Sequence, residues 1–352
     1  MLLFTVGPVM MFDETLKIAG SQLPYFRTDE FSEINLESER ILKKLLGAQE
    51  GSKVAFLTTS GTGAMDAVVS GCFDKSDKLL IINGGSFGHR FVELAQHYDI
   101  PFDSIDLQFG EELTENHLNK HQGGKYTALL LNLDETSTGQ LYDIKMISKF
   151  CRDNEMYLIV DAISAFLADP FDMQEDSIDA VIISSQKALS LSPGLSAVII
   201  SERLYQDKIR NKKSPSFYLD LNKHFENQVR GQTPFTPAVG ILLELNQMLR
   251  SIDSLGISTV RGKIKDNAEY FRKGAASLGL KMPQFRLSNA VTPLIFESDA
   301  QKYYTKLKNE YGLTVTPSGG DLKDKVLRVG HIGNLTYADY DKLLKAFSEL
   351  LK

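Results

Sequence analysis

One lysine lies at the mouth of a strand-like run, in a stretch whose residue types favour chemistry on a carbonyl group. Residues 181–194 (VIISSQKALSLSPG) begin with an apolar run, pass through small hydroxyl residues to Lys187, and lead into a second apolar run at 195–201. Desolvation at such a place lowers the pKa of a lysine and makes its amine a usable nucleophile and base. Lys187 is therefore a candidate Schiff-base lysine for a carbonyl cofactor. The stretch alone fits a surface lysine at a strand end equally well.

A short turn after the strand-like run 53–59 (KVAFLTT) has the composition of a phosphate site. Ser60, Gly61 and Thr62 follow the run directly, and a helical pattern begins behind them. A strand, a Ser/Thr/Gly turn and a helix together point backbone N–H groups and a helix N-terminus at a phosphate. An N-capped turn that binds nothing is the alternative. The dinucleotide fingerprint is disfavoured, because Asp66 stands where its third glycine is needed.

Three more polar or aromatic residues follow apolar runs. Asp161 ends the run 156–160 (MYLIV), Thr136 follows the run 127–133 (TALLLNL), and Phe87 lies between glycines after the run 78–83. Ligand sites in open α/β sheets lie at the carboxyl ends of the strands, so we expect these residues to converge with Lys187. The alternatives are an N-cap or solvated acid for Asp161 and a core aromatic for Phe87.

Together these residues describe a site for pyridoxal 5′-phosphate. Lys187 would bind the aldehyde covalently and later serve as general base and then acid. Asp161 would pair with the protonated pyridine nitrogen and keep the ring an electron sink. The turn at 60–62 would hold the phosphate, and Phe87 would stack on the ring.

Composition excludes several classes of function. The chain has 352 residues, 43% hydrophobic and 24% charged, which is ordinary for a globular protein. Its net charge of −6 and pI near 5.6 argue against nucleic acid or an anionic membrane as a partner. No apolar run approaches the length of a membrane span. Cys72 and Cys151 lie far apart without metal-type spacing, so we predict no metal site and a reducing, cytoplasmic setting.

The order of the runs predicts the architecture. Strand and helix patterns alternate from about residue 50 to about 200, which indicates an α/β fold with a doubly wound sheet. A charged helix is expected after residue 201, followed by an irregular region that reaches about residue 237 and contains Pro234 and Pro237. Two helices follow, up to about residue 278. The remainder indicates a separate α+β unit with strands near 290–296, 313–316 and 326–329.

The motifs resemble those of class V (fold type I) aminotransferases, in the branch of alanine–glyoxylate, serine–glyoxylate and 2-aminoethylphosphonate–pyruvate aminotransferases. The matching segments occur in the family's order over most of the chain: SGTGAM at 60–65, ETSTG at 135–139, VDA at 160–162, SSQKAL at 184–189, PG at 193–194, FTP at 235–237 and LRVGHIGN at 327–334. The segments around Gln186-Lys187 and Arg328 are the most specific.

This resemblance implies a fold type I enzyme with a mostly parallel, seven-stranded-type sheet covered by helices and a smaller C-terminal α+β domain. The implied divisions are an N-terminal segment at the active site (1–15), a large cofactor-binding domain (16–250) and a small C-terminal domain (251–352). It also implies a homodimer with shared active sites, in which Thr236 reaches the phosphate of the neighbouring subunit.

The resemblance also assigns roles to residues that the local patterns leave open. The residue matching Arg328 grips the substrate α-carboxylate, whereas an arginine in a strand is by itself more often an exposed charge. Thr136 would lie near the cofactor ring and its hydroxyl, and Gln186 near the phosphate. The turn at Gly7 would line the substrate pocket.

The predicted function is a ping-pong aminotransferase that passes an amino group from a small amine or amino acid to a 2-oxo acid such as pyruvate or glyoxylate. A 2-aminoethylphosphonate–pyruvate-like enzyme is preferred, because the segments at 328–334 and 214–221 resemble that branch most. An alanine–glyoxylate or serine–glyoxylate enzyme is the alternative, because Gln186 before the lysine resembles the glyoxylate branch. A lyase or a cysteine desulfurase is disfavoured; a desulfurase needs a cysteine on a mobile loop, and both cysteines fall in helical patterns. A nicotinamide-dependent oxidoreductase is disfavoured, because the chain lacks the dinucleotide-binding fingerprint. A non-catalytic protein would not need to keep both Lys187 and Asp161.

Overall fold

The strand pattern builds two main sheets in the computed structural model, which describes residues 1–352. The strands are β1 (Leu2–Phe4), β2 (Lys53–Leu57), β3 (Leu79–Asn83), β4 (Phe102–Asp106), β5 (Ala128–Asn132), β6 (Asp134–Glu135), β7 (Gln140–Leu141), β8 (Tyr157–Asp161), β9 (Ala180–Ser184), β10 (Ser196–Ile200), β11 (Val291–Ile295), β12 (Leu313–Pro317) and β13 (Val326–Gly330).

Twelve helices connect and cover these strands. They are α1 (Asp13–Ala19), α2 (Asp29–Leu46), α3 (Gly61–Cys72), α4 (Ser86–His97), α5 (Glu115–Asn119), α6 (Ile144–Asp153), α7 (Glu202–Leu204), α8 (Leu221–Gln228), α9 (Val239–Leu255), α10 (Ile257–Ser277), α11 (Ala300–Tyr311) and α12 (Tyr337–Leu350). A π-helical turn at Tyr205–Ile209 continues α7. None of these helices combines the length and the apolar character that a membrane crossing requires.

The larger sheet has seven strands in the order β2-β10-β9-β8-β5-β3-β4. Strands β9, β8, β5, β3 and β4 pair in parallel, and β10 is antiparallel to both of its neighbours. The predicted mostly parallel, seven-stranded sheet is thus confirmed. Its parallel strands place their carboxyl ends along one edge, where the strand-end residues of the sequence meet.

Apolar side chains cover both faces of this sheet. Along β5, Leu129 and Leu131 join one apolar cluster while Ala128 and Leu130 join another, because successive strand residues point to opposite faces. All five residues of β5 are buried. A strand packed on both faces has a continuous apolar sequence, as the run at 127–133 does.

The second sheet has four strands in the order β1-β12-β13-β11. Its core includes Phe4, Phe271, Tyr340 and Phe347, contributed by β1, α10 and α12. The predicted C-terminal strands are therefore present, and the chain's first strand joins them. Leu2 pairs with Leu313, in parallel. This pairing carries the turn after β1 to the edge of the larger sheet.

The region expected to be irregular up to residue 237 contains a regular helix, α8, so that part of the prediction was wrong. Asp220 caps α8 by accepting a hydrogen bond from the N–H of Asn222. Leu221, His224 and Phe225 are buried on one face of the helix, at the i, i+3 and i+4 spacing of an amphipathic helix. The amphipathic pattern of α8 covers only about two helical turns, and its polar composition resembles that of a loop, so the sequence did not reveal the helix.

Candidate active site

A cavity of about 540 Å³ opens where the carboxyl ends of the parallel strands meet the turn after β1. All but two of the residues predicted for the site lie on its wall: Gly7, Ser60, Gly61, Thr62, Phe87, Thr136, Asp161, Gln186 and Lys187. The two that do not line it are Arg328 and Thr236. The convergence expected from the strand ends therefore occurs in the folded chain.

Lys187 is buried, with 8% of its surface exposed. Its Nζ donates a hydrogen bond to the carbonyl oxygen of Val6 at 2.8 Å. A side chain on Gly7 would place its Cβ 2.6 Å from Lys187 Cδ, so a glycine is required for this close approach. Burial lowers the pKa of Lys187 to about 8, and the carboxyl groups of Asp134 and Asp161 oppose this shift. The alternative of a solvated surface lysine is excluded.

Asp161 ends β8 at the cavity wall with 5% of its surface exposed. Its Oδ1 accepts a hydrogen bond from the backbone N–H of Ile163 at 2.8 Å. Burial raises the pKa of Asp161 to about 7, although that N–H and the nearby Lys187 favour the ionised form. A carboxyl group held in this way gains strongly from a cationic partner.

The turn at residues 60–62 lies at the N-terminus of α3. Ser60 caps the helix by accepting from the N–H of Gly63, and the first turn of α3 contains no acidic residue. Arg90 Nη1 donates to Thr62 Oγ1 at 3.0 Å and so adds a cation beside the turn. Backbone N–H groups, hydroxyl groups and a guanidinium are the donors that a phosphate needs. Gln186, on the same wall, accepts a hydrogen bond from the Ser184 hydroxyl at 2.7 Å.

Phe87 lies in the first turn of α4 and presents its ring to the cavity. Lys187 Nζ lies 5.8 Å from the centre of the ring, and Arg90 Cζ lies 5.3 Å from it. The carboxylate of Glu135 fixes this turn, because its oxygens accept from the N–H groups of Phe87 and Gly88 at 3.4 and 2.8 Å. Glu135 is fully buried. It therefore ties the start of α4 to the loop after β5.

Arg328 reaches the site through the loop that carries Thr136. From β13 its Nη1 donates to the carbonyl oxygen of Thr136 at 3.1 Å, and its Nη2 donates to that of Pro317 at 3.0 Å. Its Nε is buried and has no hydrogen-bond partner. The Thr136 hydroxyl donates to Ser164 Oγ at 2.7 Å. The arginine is thus buried beside the cavity wall rather than exposed on a strand.

Thr236 lies apart from these residues. It is exposed and does not line the cavity. The segment that carries it is held near the phosphate turn, since the N–H of Ala238 donates to Thr58 Oγ1 at 2.9 Å. The predicted contact of Thr236 with a neighbouring subunit stays a prediction.

Several residues of the cavity wall were not predicted, among them Arg90, Asn132, Asp134 and Ser164. Arg90 lies three residues after Phe87 on α4, so the helical period places both on one face. Asn132 lies near the end of the apolar run that Thr136 follows, and Asp134 comes directly after that run, so the strand-end rule applies to them as well. Asn132 Nδ2 donates to Glu135 Oε2 at 3.0 Å.

The Aminotransferase class-V family model matches residues 24–313. The chain belongs to the class V aminotransferases. The 2-aminoethylphosphonate–pyruvate transaminase of Bacteroides fragilis is 27% identical, with 99% of this chain and 98% of the relative aligned. The serine–glyoxylate aminotransferase of Methylorubrum extorquens is 26% identical, with 95% of this chain and 86% of the relative aligned.

A solved structure shares the fold of this aminotransferase. The alanine–glyoxylate aminotransferase of Nostoc sp. superposes with a TM-score of 0.93 at 24% identity, covering 100% of this chain and 95% of that one. The predicted family, the fold type I architecture and the aminotransferase class are therefore confirmed. Pyridoxal phosphate is the cofactor of this family.

The residues of the cavity fit pyridoxal phosphate on chemical grounds. One end offers N–H groups, hydroxyl groups and Arg90 to an anion. The wall offers a buried carboxyl, Asp161, to a cation and a buried amine, Lys187, to an electrophilic carbon. The aromatic ring of Phe87 lines the same cavity. Each group on this wall thus matches one chemical group of the cofactor.

Proposed function

We propose that this aminotransferase moves an amino group from a small amine or amino acid to a 2-oxo acid of the pyruvate or glyoxylate type, in a ping-pong cycle. The observation that carries the proposal is that one cavity brings together the buried Lys187, the buried Asp161 and the N-terminus of α3. These three groups come from different strand ends, and the chemistry of amino-group transfer needs all of them.

The cavity residues take their roles from this arrangement. The Ser60–Thr62 turn and Gln186 would hold the cofactor phosphate, Phe87 would lie against the ring, and Lys187 would bind the carbonyl carbon covalently. When bound, pyridoxal phosphate supplies an electron-withdrawing ring that stabilises negative charge on the substrate carbon. Asp161 would hold a proton on the pyridine nitrogen, and Thr136 would lie near the ring hydroxyl.

Lys187 would carry the proton during the transfer. A pKa of about 8 leaves roughly a tenth of the amine unprotonated at pH 7, against less than about a thousandth for a solvated lysine. That free amine removes the proton from the substrate carbon that bears the amino group, and it returns a proton afterwards. The close approach of Gly7 and the carbonyl of Val6 orient the amine at the cavity wall.

Arg328 would bind the substrate carboxylate. Its guanidinium is held by the carbonyl groups of Thr136 and Pro317, while its Nε is left without a partner. A substrate carboxylate that reached Nε would supply the missing acceptor and compensate the buried charge. Gly7, on the same wall, would line the substrate pocket.

The preferred substrate pair is 2-aminoethylphosphonate and pyruvate. The LRVGHIGN segment at 327–334 supports it, as does the alignment with the Bacteroides fragilis enzyme along 98% of its length. The comparisons support alanine or serine with glyoxylate equally, because the serine–glyoxylate enzyme of Methylorubrum extorquens aligns at nearly the same identity. The preference for 2-aminoethylphosphonate therefore rests on the segments at 214–221 and 327–334. A desulfurase has no support, since Cys72 and Cys151 are buried and neither lines the cavity.

The proposal includes the assembly and division of the chain. Residues 1–15 would form an N-terminal segment at the site, residues 16–250 the cofactor-binding domain and residues 251–352 the small domain. A homodimer would bring the exposed Thr236 of each subunit to the phosphate of the other. Two buried free cysteines agree with a cytoplasmic location.

The test is a substrate screen on protein with a defined cofactor state. Purified protein should show a visible absorption band that borohydride bleaches. The reduced cofactor should then be recovered on the peptide that contains Lys187. Lys187→Ala should lose the band, and the exposed control Lys345→Ala should keep it. Pairs of amino donors with pyruvate, glyoxylate and 2-oxoglutarate then identify the substrates. A colourless protein that is unaltered by added cofactor would refute the proposal.

A further inference from the structure

A fully buried aspartate, Asp169, joins the two main sheets. It lies in the turn that follows β8 of the larger sheet, and none of its surface is exposed. Its Oδ2 accepts a hydrogen bond from the hydroxyl of Ser288 at 2.5 Å, and its Oδ1 accepts from the N–H of Asn289 at 3.0 Å. Both donors lie just before β11 of the smaller sheet. The two oxygens of one carboxyl group thus hold the start of β11 against the larger sheet.

The segment that Asp169 holds is also attached to the hairpin of β6 and β7. The N–H of Ser288 donates to the carbonyl oxygen of Gly139 at 3.0 Å, and the N–H of Leu141 donates to that of Arg286 at 2.9 Å. Thr136 lies in the turn of the same hairpin. The start of β11 therefore has a fixed place beside the loop that carries Thr136.

Backbone pairing carries this fixed place on to β13. The carbonyl oxygen of Ala290 accepts from the N–H of His331 at 2.9 Å. Strands β11 and β13 then pair antiparallel, with Pro293 opposite Arg328. The side chains of Thr292 and His331 add a hydrogen bond of 2.7 Å between the two strands. Arg328 is thus connected to the segment that Asp169 holds through one pair of strands.

The guanidinium of Arg328 spans the two sheets and so depends on their relative position. Its Nη1 donates to the carbonyl oxygen of Thr136, in the loop that follows β5 of the larger sheet. Its Nη2 donates to that of Pro317, at the end of β12 of the smaller sheet. A shift of one sheet against the other would separate the guanidinium from one of these acceptors. The hydrogen bonds of Asp169 oppose that shift.

We propose that Asp169 is a positioning residue for substrate binding: it holds the start of β11, and through β11 and β13 it fixes Arg328 in the place where the substrate carboxylate binds. Asp169 does not line the cavity, so it acts without touching cofactor or substrate. The inference rests on the proposed function in taking Arg328 as the group that binds the carboxylate.

The first experiment separates binding from turnover. Asp169→Asn keeps the volume of the side chain but replaces one acceptor oxygen with a donor, so one of its two donors loses its acceptor. The KM of pyruvate or glyoxylate, whichever the substrate screen selects, should rise about threefold to thirtyfold. The kcat and the dissociation constant of pyridoxal phosphate should stay within about twofold of wild type, because the lost interaction concerns carboxylate binding alone.

A matched control is Asp179→Asn. Asp179 is also buried, with 4% of its surface exposed, and it accepts from the N–H of Leu158 at 3.0 Å. It directly precedes β9 and so lies at the amino end of the strands, opposite the cavity. This substitution should lower stability and leave the KM of the 2-oxo acid unchanged.

The second experiment asks whether Asp169 acts through Arg328. In the Arg328→Ala background no guanidinium remains to be positioned, so adding Asp169→Asn should change the KM by less than about twofold. An equal rise in both backgrounds would show a general loosening of the fold and overturn the proposal. An unchanged KM in Asp169→Asn would also overturn it. Ser288→Ala removes only one of the two donors and should give a smaller rise of the same sign, which keeps the test available if Asp169→Asn does not fold.

The third experiment needs no turnover. Phenylglyoxal modifies accessible guanidinium groups, and its rate at the peptide that contains Arg328 is read by mass spectrometry on the cofactor-free, full-length protein. Arg328 is 9% exposed, so modification should be slow in wild type and in Asp179→Asn. It should be about threefold faster or more in Asp169→Asn. An equal rate in wild type and Asp169→Asn would contradict the proposal.

The outcomes distinguish this inference from the proposed function. A faster modification of Arg328 in Asp169→Asn, in a protein without transaminase activity, would support the positioning and refute the function. An active enzyme in which Arg328→Ala raises the KM and Asp169→Asn does not would keep the function and remove Asp169 from it. An active enzyme in which Arg328→Ala leaves the KM unchanged would refute the carboxylate role of Arg328, and with it the role of Asp169.

Discussion

Replacing Asp161 with asparagine should stabilise the cofactor-free chain by an amount that grows with pH. Asp161 is 5% exposed, and burial raises the pKa of its carboxyl group to about 7. Asparagine has nearly the same shape, and its side-chain oxygen can still accept from the N–H of Ile163. The substitution therefore removes the cost of ionising a buried carboxyl and little else.

The sign and size follow from the difference between the folded and unfolded states. The folded pKa is about 7 and the ordinary value is 3.8, so the folded chain holds the proton more tightly. The stability that Asp161 contributes by holding its proton in the fold is fully present below the unfolded pKa. It is lost as pH rises through about 7. Relative to wild type, Asp161→Asn should gain about 2 kcal/mol at about pH 5 and about 4 kcal/mol at about pH 8.

The assay is thermal unfolding of the cofactor-free proteins at these two pH values. The exposed substitution Asp266→Asn on α10 controls for unspecific effects. The midpoint of Asp161→Asn should exceed that of wild type, and by more at the higher pH. Equal differences at both pH values would refute the reasoning, because they would show that ionisation of Asp161 costs nothing in the fold.

Three further substitutions test other parts of the site. Gly139 has a φ of +78°, and a Cβ there would lie 2.6 Å from Pro293 Cδ, so Gly139→Ala should lower the free energy of unfolding by roughly 2–4 kcal/mol in urea titrations. Glu135→Gln weakens the acceptors that hold Phe87 and Gly88, so the dissociation constant of pyridoxal phosphate should rise about tenfold by absorbance titration. Arg328→Lys removes the planar guanidinium group, so the KM of a carboxylate substrate should rise about tenfold or more in steady-state assays while cofactor affinity is unchanged. For each of the three substitutions, a measured value equal to that of wild type would contradict the assignment.

The strand ends could be predicted because two local rules coincide there. A parallel strand covered on both faces reads as an apolar run, and its carboxyl end falls at the shared edge of the sheet. Asp161 and Lys187 were therefore placed together from the chain order alone. The same rules cover Asp134, yet a run that ends in several polar residues does not show which of them turns inward.

Contacts between distant parts of the chain could not be predicted from local patterns. Leu2 pairs with Leu313, and that pairing brings Gly7 against Lys187. Arg328 on β13 of the smaller sheet reaches Thr136, which follows β5 of the larger sheet. Period and composition describe single elements, whereas these contacts depend on how the two sheets meet. The resemblance to a family supplied the role of Arg328, and the chain pattern alone did not.

The free-energy cost of ionising Lys187 and Asp161 in the cofactor-free fold explains why the site suits its cofactor. The fold disfavours the ammonium of Lys187, whose folded pKa is depressed, and this cost reaches its full value below about pH 8. It also disfavours the carboxylate of Asp161, whose folded pKa is raised, and this cost grows with pH up to about pH 7. Near neutral pH both groups cost stability. A molecule that takes the amine into a covalent bond and offers a cation to the carboxyl relieves both costs at once. Cofactor binding should thus stabilise wild type more than Asp161→Asn, since the variant has no such cost left to recover.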